Sequence, residues 1–492
     1  QSVSAVSGIV TYYGDGSKLS GVESGVVNFV ASGDIGNGQT VIIKTDGTVG
    51  VVTETGSANP SVGTAVVANA MASNPSAAYS GVDGKVVIAW SEYSAGTGYN
   101  GRAIVGTVSG TSISFGSAVT FNSGQSSYTN VTYDSANSKV VIAYTDGNTF
   151  VGRARVGTVS GTSISFGSEA TFNSGQSTDK TSVSTTNGKL VVVYTGTSDY
   201  GTAVVGTISG TSISFGSAVV FNSRLTYKFA CAYDSTNDKV VVFYQDQNNS
   251  SSGRAKVGTI SGTSISFGSE AIFSSNSTSW YSATGTTNGK VVVAYEHSAS
   301  SNAGTAVVGT VSGTSITFGT PVVFNNTASH TGITYDSAKD KVIIAYVGSP
   351  AKGEAIVGTI SGTSISFGTK IQYDSAGTYY NSPAYDPTNG KVVIAYKDAN
   401  NNDYSTAVVL TTNSIETNLT AENYIGIAAE AISNAATGRI NVVTGTNSGQ
   451  TGLTTAQKYY VQSSGGISTT AGDPSVVAGT AISDTKIIVQ KS

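Results

Sequence analysis

The chain has 492 residues, of which 60 are glycine and 11% are charged. This composition favours short strands joined by tight turns over helices rich in Leu, Glu and Lys. The formal net charge of −4 gives no basic surface, so nucleic acid and an anionic membrane surface are excluded as expected partners.

The sequence also lacks membrane-spanning and targeting signals. No apolar run approaches the roughly 18 residues needed to span a bilayer, and residues 1–10 contain neither the basic nor the apolar stretch of a secretory signal. We therefore expect a soluble chain without membrane insertion. The first residue is Gln1 rather than Met, which indicates N-terminal trimming or a longer precursor.

Residues 1–60 are rich in strand-forming residues. Apolar and β-branched runs predict strands at 26–31, 40–44 and 49–53. The next segment, Gly-Thr-Ala-Val-Val-Ala-Asn at 63–69, matches Gly-Ser-Ala-Val-Thr-Phe-Asn at 116–122, which belongs to the first of seven sequence repeats.

These repeats share an apolar run that opens with Lys, ends with an aromatic residue and recurs about every 50 residues. We number the repeats 1 to 7 by their lysines, and each repeat also includes the strand that precedes its lysine. The lysines are Lys85, Lys139, Lys189, Lys239, Lys290, Lys341 and Lys391. Repeats 1 to 6 continue into Gly-Thr-Val/Ile-Ser-Gly-Thr-Ser-Ile-Ser/Thr-Phe-Gly, which repeat 7 lacks.

Each repeat is predicted to form four strands. In repeat 2 these are 129–133, 139–144, 152–159 and a fourth that starts at Thr162, breaks at Gly167 and resumes to about Phe172. The second strand is apolar on both faces, as expected between neighbouring sheets. Seven such units predict an all-β fold that contains a seven-bladed β-propeller.

The segment 63–69 supplies the outer strand that repeat 7 lacks. We expect a strand exchange in which this N-terminal segment closes the ring and removes exposed sheet edges, with Val66 beside the strand near Val408. The predicted domains are the propeller at 61–412 and one small β-rich anchor domain formed by both termini, residues 1–60 and 413–492.

The C-terminal segment is also predicted to be β-rich. Strands are expected at 440–444, 458–462 and 486–490. A helix is conceivable only at 421–432, where the alternation of Ile425 and Ile427 argues against it.

Candidates for catalysis or metal binding are few. The two histidines, His297 and His330, are interpreted as exposed loop residues, since no cysteine and no repeated acidic spacing accompanies them. The single cysteine, Cys231, is interpreted as a small core residue, with a reactive thiol as the alternative. We expect no metal and no cofactor.

Two sets of carboxylates recur among the repeats. The first set follows a Tyr and is expected to cap the turn between the first two strands: Asp134, Asp234, Asp336 and Asp386. The second set ends the second strand: Glu92, Asp146, Asp246, Glu296 and Asp398. Two of them could serve a glycosidase only if they converged at the channel mouth. Arg102, Arg153 and Arg254 are expected to pair across strands, and we expect no enzyme.

The exposed loops of the repeats are dense in Tyr, Asn, Ser and Asp. Aromatic faces beside amides and hydroxyls suit stacking on sugar rings or a protein contact. The candidate ligand-binding residues are Tyr93, Tyr99, Tyr200, Trp280, Tyr281, Tyr379, Tyr380 and Tyr404. The alternative is ordinary polar loops with scattered tyrosines.

Several segments carry a resemblance to known proteins. They are the repeat consensus Val-Gly-Thr-Val-Ser-Gly-Thr-Ser-Ile-Ser-Phe-Gly, Val-Ala-Ser-Gly-Asp-Ile-Gly-Asn-Gly-Gln at 30–39, Asn-Leu-Thr-Ala-Glu-Asn-Tyr-Ile-Gly at 418–426, Gly-Leu-Thr-Thr-Ala-Gln-Lys-Tyr-Tyr-Val-Gln at 452–462 and Ala-Gly-Thr-Ala-Ile at 478–482. In these the chain resembles virion surface proteins, tail-fibre or head-fibre-like, of tailed marine bacteriophages. The resemblance covers most of the chain and supplies no catalytic residues.

The resemblance implies a virion appendage: a tail fibre, a head fibre or a capsid decoration. The propeller would then face a host-surface glycan or protein, and the terminal domain would attach to other virion structural proteins, as a homo-oligomer at the virion surface. The alternative is a secreted or cell-surface lectin-like adhesin outside a virion. A glycan-cleaving enzyme is the third and least favoured interpretation.

Overall fold

The computed structural model describes residues 25–55, 60–69, 72–81, 84–94, 98–184, 187–375, 377–412, 416–472 and 475–490. The chain divides into two compact units. One contains the described residues between 59 and 413, and the other contains those of both ends, within 1–58 and 414–492. The described residues form strands and short 3-10 turns without an α-helix, so the all-β prediction is confirmed.

The unit formed by both ends starts with four strands. They are β1 (Val26–Val30), β2 (Thr40–Ile43), β3 (Val49–Val51) and β4 (Glu54–Thr55). The first three agree with the predicted strands to within two residues at each end.

The unit that contains the repeats follows in chain order. Its first half consists of β5 (Ser61–Val62), β6 (Val66–Asn69), β7 (Ala72–Tyr79), β8 (Lys85–Ser94), β9 (Gly98–Ser109), β10 (Ser112–Phe115), β11 (Val119–Asp134), β12 (Lys139–Asp146), β13 (Val151–Ser160), β14 (Ser163–Phe166), β15 (Ala170–Gln176), β16 (Thr178–Ser184), β17 (Lys189–Thr195), β18 (Tyr200–Ser209) and β19 (Ser212–Phe215). Its second half consists of β20 (Val219–Asp234), β21 (Lys239–Asp246), β22 (Ser252–Ser261), β23 (Ser264–Phe267), β24 (Ala271–Gly285), β25 (Lys290–His297), β26 (Ala303–Ser312), β27 (Ser315–Phe318), β28 (Val322–Asn325), β29 (Ser329–Asp336), β30 (Lys341–Gly348), β31 (Lys352–Ser361), β32 (Ser364–Phe367), β33 (Ile371–Asp374), β34 (Thr378–Asp386), β35 (Lys391–Asp398) and β36 (Tyr404–Thr411). Short 3-10 turns lie between the second and third strands of repeats 3, 4, 5 and 7, at Thr197–Asp199, Gln247–Asn249, Ser298–Ser300 and Ala399–Asn401.

Each repeat forms an antiparallel sheet in which the Lys-led strand lies between the first and third strands. In repeat 2, Val140 of β12 lies opposite Tyr133 of β11 and Gly157 of β13. The outer edge is made in two pieces, β14 and β15, which both pair with β13. In β11, β20 and β24 the outer strand of one repeat continues directly into the first strand of the next, where the sequence predicted two separate strands.

The outer strand of repeat 7 comes from the start of the unit. Strand β6 pairs antiparallel with β36, so that Val66 lies opposite Ala407 and Val67 opposite Thr406. Strand β5 extends the pairing, with Val62 opposite Leu410.

The core of this unit lies between consecutive repeats. The Lys-led strands are buried on both faces, and each hydrophobic cluster contains residues from two successive repeats. The same arrangement joins the last repeat to the first, because Val393 and Val409 share a cluster with Val86, Ile88 and Trp90. Each fully buried Val, Ile or aromatic side chain contributes roughly 1.5–3 kcal/mol through removal of its surface from water.

The C-terminal residues complete the other unit. Their strands are β37 (Glu416–Thr417), β38 (Tyr424–Ala428), β39 (Thr437–Asn441), β40 (Thr446–Asn447), β41 (Lys458–Val461), β42 (Ile467–Ser468), β43 (Val476–Ala481) and β44 (Ile487–Val489). Strands β38 and β39 join β1, β2 and β3 in one five-stranded sheet, so both ends of the chain build the same unit. The segment at 421–432 contains strand β38 rather than a helix, in agreement with the alternating isoleucines.

Within the described residues, no helix has the length and hydrophobicity that crossing a membrane requires.

Candidate functional site

A β-bulge interrupts the first strand of all seven repeats. The register against the Lys-led strand shifts at the same place each time, for example between Ser127 and Asn130 in repeat 2 and between Ser279 and Ser282 in repeat 5. One residue in each bulge has a left-handed backbone, with φ between 45° and 55°. These residues, called the bulge residues below, are Asn74, Tyr128, Asp179, Lys228, Trp280, His330 and Tyr380. A left-handed conformation costs a residue other than glycine about 1–3 kcal/mol, and such strain concentrates at functional sites.

All seven bulge residues line one cavity of about 700 Å³, which we call the bulge cavity. They come from seven repeats that are far apart in the chain, and at this position the repeats carry an amide, a carboxylate, an ammonium group and four aromatic rings. The Lys-led strands of the repeats, by contrast, are nearly identical in sequence. The bulge therefore turns one equivalent position of each repeat into a chemically varied lining.

One side of the bulge cavity is aromatic. The rings of Trp280 and His330 are stacked with centroids 3.7 Å apart, and Tyr380 meets the His330 ring edge to face at 4.8 Å. Burial, with a smaller contribution from nearby Lys228, lowers the pKa of His330 to about 4. His330 is therefore a neutral stacking partner at physiological pH.

The adjoining side carries an ion pair. The ammonium nitrogen of Lys228 lies 3.7 Å from the Asp179 carboxylate and 5.5 Å from the centroid of the Trp280 ring. The backbone N–H of Lys228 donates to Oδ2 of Asp179 at 3.3 Å. Burial and the negative charge of Asp179 raise the pKa of Tyr128, so its hydroxyl stays protonated and able to donate.

Hydrogen bonds between repeats hold the lining in place. Thr331 Oγ1 donates to the carbonyl oxygen of Trp280, and Asn381 Nδ2 donates to that of His330 at 3.1 Å. Each bond joins the residue next to one bulge residue to the backbone of the preceding bulge. The site is therefore preorganised by its neighbours, which lowers the entropy lost when a ligand binds.

A second cavity of about 670 Å³ shares several lining residues with the bulge cavity, including Ser76, Asn130 and Ser382. It is lined by the first strands of the repeats and by Tyr79, Tyr133, Tyr335 and Tyr385. The hydroxyl of Tyr335 bonds to Thr287 Oγ1 of the preceding repeat at 2.9 Å, and that of Tyr79 bonds to Thr388 Oγ1 across repeats at 2.7 Å. The hydroxyls of Tyr335 and Tyr79 therefore link the turns of neighbouring repeats.

The structure brings part of the predicted site together. Trp280 and Tyr380 line the bulge cavity, and Tyr379 lies beside it with its ring 5.4 Å from His330. All three are on first strands rather than in loops, which corrects the expectation for their position. Tyr281 also lines the bulge cavity, but it is on the same first strand as Trp280, is buried and contacts Phe273, so its assignment to an exposed loop is wrong.

The other predicted tyrosines lie away from the bulge cavity. Tyr93 and Tyr99 face each other across the β8–β9 hairpin, 51% and 46% exposed, with ring centroids 5.5 Å apart. Tyr200 and Tyr404 are half-buried at the starts of β18 and β36.

The interpretation of both histidines as exposed loop residues is wrong. His330 lies on β29 within the aromatic cluster, and His297 is half-buried at the end of β25, opposite Ala303. Cys231 is buried, which raises the pKa of its thiol and agrees with the core interpretation.

The recurring carboxylates and arginines make local contacts. Asp134 accepts from the backbone N–H of Ala136 at 3.2 Å, and Asp386 accepts from that of Thr388 at 3.0 Å, as expected of turn caps. The arginine pairs are Arg102–Glu92 at 2.8 Å, Arg153–Glu169 at 2.6 Å and Arg254–Glu270 at 2.6 Å. Among the residues described, no group of three or more His, Cys, Asp and Glu side chains could hold a metal ion.

Asn74, Tyr128, Asp179 and Lys228 are not among the predicted binding residues, and His330 is predicted only as an exposed loop residue. A signal for them exists, because all five occupy one repeat position, 10 or 11 residues before the lysine of their repeat. Six residue types occupy this position in the seven repeats, and the neighbouring positions of the first strands vary as well, so backbone geometry rather than sequence variability distinguishes it. The bulge that turns the bulge residues toward the cavity has no sequence motif, since none of the seven bulge residues is a glycine.

No protein-family model and no curated protein matches this chain. Solved structures similar to it include a protein of unknown function from Dyadobacter fermentans, at 12% identity over 72% of this chain and 99% of that chain, with a TM-score of 0.45. Another is a variant of Aleuria aurantia lectin in complex with Fucα1-6GlcNAc, at 11% identity over 59% and 93% of the two chains, with a TM-score of 0.39. A third is Chaetomium thermophilum Sqt1 bound to the N-terminus of a ribosomal protein, at 10% identity over 68% and 86%, with a TM-score of 0.44.

Proposed function

We propose that this chain is a non-enzymatic carbohydrate-binding protein that holds a glycan in the bulge cavity. The observation that carries this proposal is the convergence of seven equivalent but chemically different residues on one cavity. Core packing between the repeats does not account for this variety, because the Lys-led strands that supply most of the core are nearly constant. A ligand that contacts several repeats at once would account for it.

The chemistry of the cavity suits a sugar. Ligand pockets generally have volumes of roughly 300–1,000 Å³, and about 700 Å³ falls within that range. Aromatic rings such as Trp280 and Tyr380 pack against the C–H faces of sugar rings, while Asn74 and Asp179 offer hydrogen-bond partners for hydroxyls.

The same lining supports binding without catalysis. Asp179 is the one carboxylate among the described residues that line the bulge cavity. Glycoside hydrolysis generally needs two carboxyl groups on opposite sides of the scissile bond. We therefore propose that the glycan is held and not cleaved.

We further propose that the repeats form a seven-bladed β-propeller, spanning 61–412, whose ring is closed by the exchanged N-terminal strand. The pairing of β6 with β36 and the shared cluster of repeats 7 and 1 support this architecture. Residues 1–60 and 413–492 would then form a separate anchor domain.

For the biological setting we propose a virion appendage in which the terminal domain attaches, as a homo-oligomer, to other structural proteins. The support is the sequence resemblance of the repeats and of the segments at 30–39 and 418–426. The alternative is a lectin-like adhesin that works without a particle. Antibody labelling of phage particles that encode this chain tests the setting, and a chain found only free or on cells would contradict it.

The binding proposal is tested by exposing the full chain to an array of immobilised oligosaccharides and measuring the affinity of the best binder by calorimetry. We expect Trp280→Ala to weaken that affinity about tenfold or more, since it removes the largest apolar face of the site. Phe150→Ala is the matched control, because Phe150 is an exposed aromatic residue outside the cavity. Absence of glycan binding, or equal affinity of the folded Trp280→Ala variant, would overturn the proposal.

A further inference from the structure

Lys228 is the one cationic side chain among the described residues that line the bulge cavity. Its side chain is 39% exposed. The distance of 3.7 Å to the Asp179 carboxylate is longer than a hydrogen bond, and the described residues accept no hydrogen bond from this nitrogen. The ammonium group therefore keeps donors for a ligand.

Two neighbours lie beside Lys228. Asp179 accepts from the backbone N–H of the same lysine, and the Trp280 ring lies under the ammonium at a distance typical of a cation–π contact. An exposed ion pair is weak, because solvent screens it. A ligand anion can therefore share the lysine with Asp179 without breaking a strong interaction.

Lys228 and Asp179 place a positive and a negative charge next to each other in the bulge cavity. The positive charge contributes to the lowered pKa of His330, and the negative charge contributes to the raised pKa of Tyr128. An anionic group of a ligand is favoured beside Lys228, and hydroxyl donors are favoured beside Asp179. The centroid of the Trp280 ring lies 5.5 Å from the Lys228 ammonium nitrogen.

We propose that the ligand is an acidic sugar residue: a pyranose whose anionic substituent accepts hydrogen bonds from Lys228 while its hydroxyls donate to Asp179. The sugar ring packs against the aromatic residues between these contacts. This inference rests on the proposed function and names its ligand class. A carboxylate and a sulfate provide the same anionic chemistry, so the test includes both.

The test compares matched oligosaccharides in neutral, carboxylated and sulfated forms for binding to the full chain. We expect an anionic form to bind about tenfold or more tightly than its neutral counterpart, because a hydrogen-bonded charge adds this much. Its affinity should fall as NaCl is raised, while that of the neutral form stays constant. The carboxylated and sulfated arms identify which anion the site prefers.

Variants at Lys228 distinguish the effect of its positive charge on binding from any effect on folding. Lys228→Met keeps the apolar stem and should remove the preference for the anionic form, while Lys228→Arg should retain it. Lys352→Met, which removes the same charge outside the cavity, should leave the preference unchanged. Equal binding of neutral and anionic forms, or an unchanged preference in folded Lys228→Met, would overturn this inference and leave the proposed function intact. If no oligosaccharide of any charge bound, both would fall.

Discussion

The contact between repeats 7 and 1 and the contact between repeats 2 and 3 bury equivalent positions with different residues. Between repeats 2 and 3, the Phe172 ring packs on the Tyr194 ring with centroids 5.4 Å apart. Between repeats 7 and 1, the first residue is replaced by Ala68 and the second by Trp90, in one cluster. Trp90 and Tyr194 are both almost fully buried.

The difference shows how an interface made by a distant segment keeps its packing density. A small residue from β6 is matched by the largest aromatic residue on β8, so the indole ring restores part of the volume that the missing phenyl ring would fill, as close-packed interiors favour. The indole Nε1 of Trp90 is buried without a hydrogen-bond partner in the described structure. At this position the large Trp90 ring fills the space between the repeats even though its indole N–H has no hydrogen-bond partner.

One hydrogen bond at the contact of repeats 7 and 1 recurs elsewhere in the unit. The backbone N–H of Ala77 in repeat 1 donates to Ser382 Oγ of repeat 7 at 2.9 Å. The corresponding bond from Ile333 to Ser282, between repeats 6 and 5, measures 3.1 Å. This hydrogen bond therefore does not distinguish the contact of the last repeat with the first, whereas the aromatic packing does.

The largest expected effect on stability comes from truncating the buried aromatic residue at each of the two contacts. Trp90→Ala should reduce the free energy of unfolding by about 4–5 kcal/mol, and Tyr194→Ala by about 3–4 kcal/mol. Trp90→Ala costs more because more volume is lost and Ala68 has no side chain to move into the cavity. Urea denaturation followed by circular dichroism measures both values. A smaller loss for Trp90→Ala than for Tyr194→Ala would contradict the volume argument.

A residue exchange tests whether the two positions compensate each other. Ala68→Phe alone should overpack the interface at a cost of about 1–3 kcal/mol, and Trp90→Tyr alone should leave a cavity costing about 1–2 kcal/mol. The double variant reproduces the pair found between repeats 2 and 3, so it should recover at least about 1 kcal/mol relative to the sum. The matched control installs the opposite pair, Phe172→Ala with Tyr194→Trp. If the change in unfolding free energy of each double variant equalled the sum of its two single variants, the paired residues would not compensate each other.

The repeat strands could be predicted because their signals are local. An apolar run after Lys139, a hairpin at Ser160-Gly161 and a match between 63–69 and 116–122 are each visible in the sequence. The merging of two strands into β11 could not be predicted, since it depends on how the next repeat packs and not on any residue between them.

The site was harder to predict because its geometry depends on all the repeats together. The sequence predicts Trp280 and Tyr380 as aromatic surface residues, but it carries no signal for the bulge that turns them toward one cavity. Lys228 and Asp179 have unremarkable neighbours in the sequence, and only the convergence of their repeats brings them together. Residues such as Tyr93 satisfied the same compositional criterion and lie elsewhere.

The smallest expected effect is a pH dependence that belongs to the contact between repeats 5 and 6, where Trp280 covers His330. Since the pKa of His330 is lowered to about 4 from an ordinary value near 6.5, the unfolded chain binds the proton first as the pH falls. This contribution to stability is complete above pH 6.5 and is lost toward pH 4, with about 0.7 kcal/mol lost between pH 7 and pH 6. His330→Phe keeps an aromatic partner for Trp280 and should flatten this part of the profile, as measured by urea denaturation at each pH. The control is Trp90→Tyr in the contact of repeat 7 with repeat 1, where the bulge residue of repeat 1 is Asn74, which does not titrate. This variant should leave the slope of the unfolding free energy against pH unchanged. An equal slope in His330→Phe would show that the loss comes from other groups.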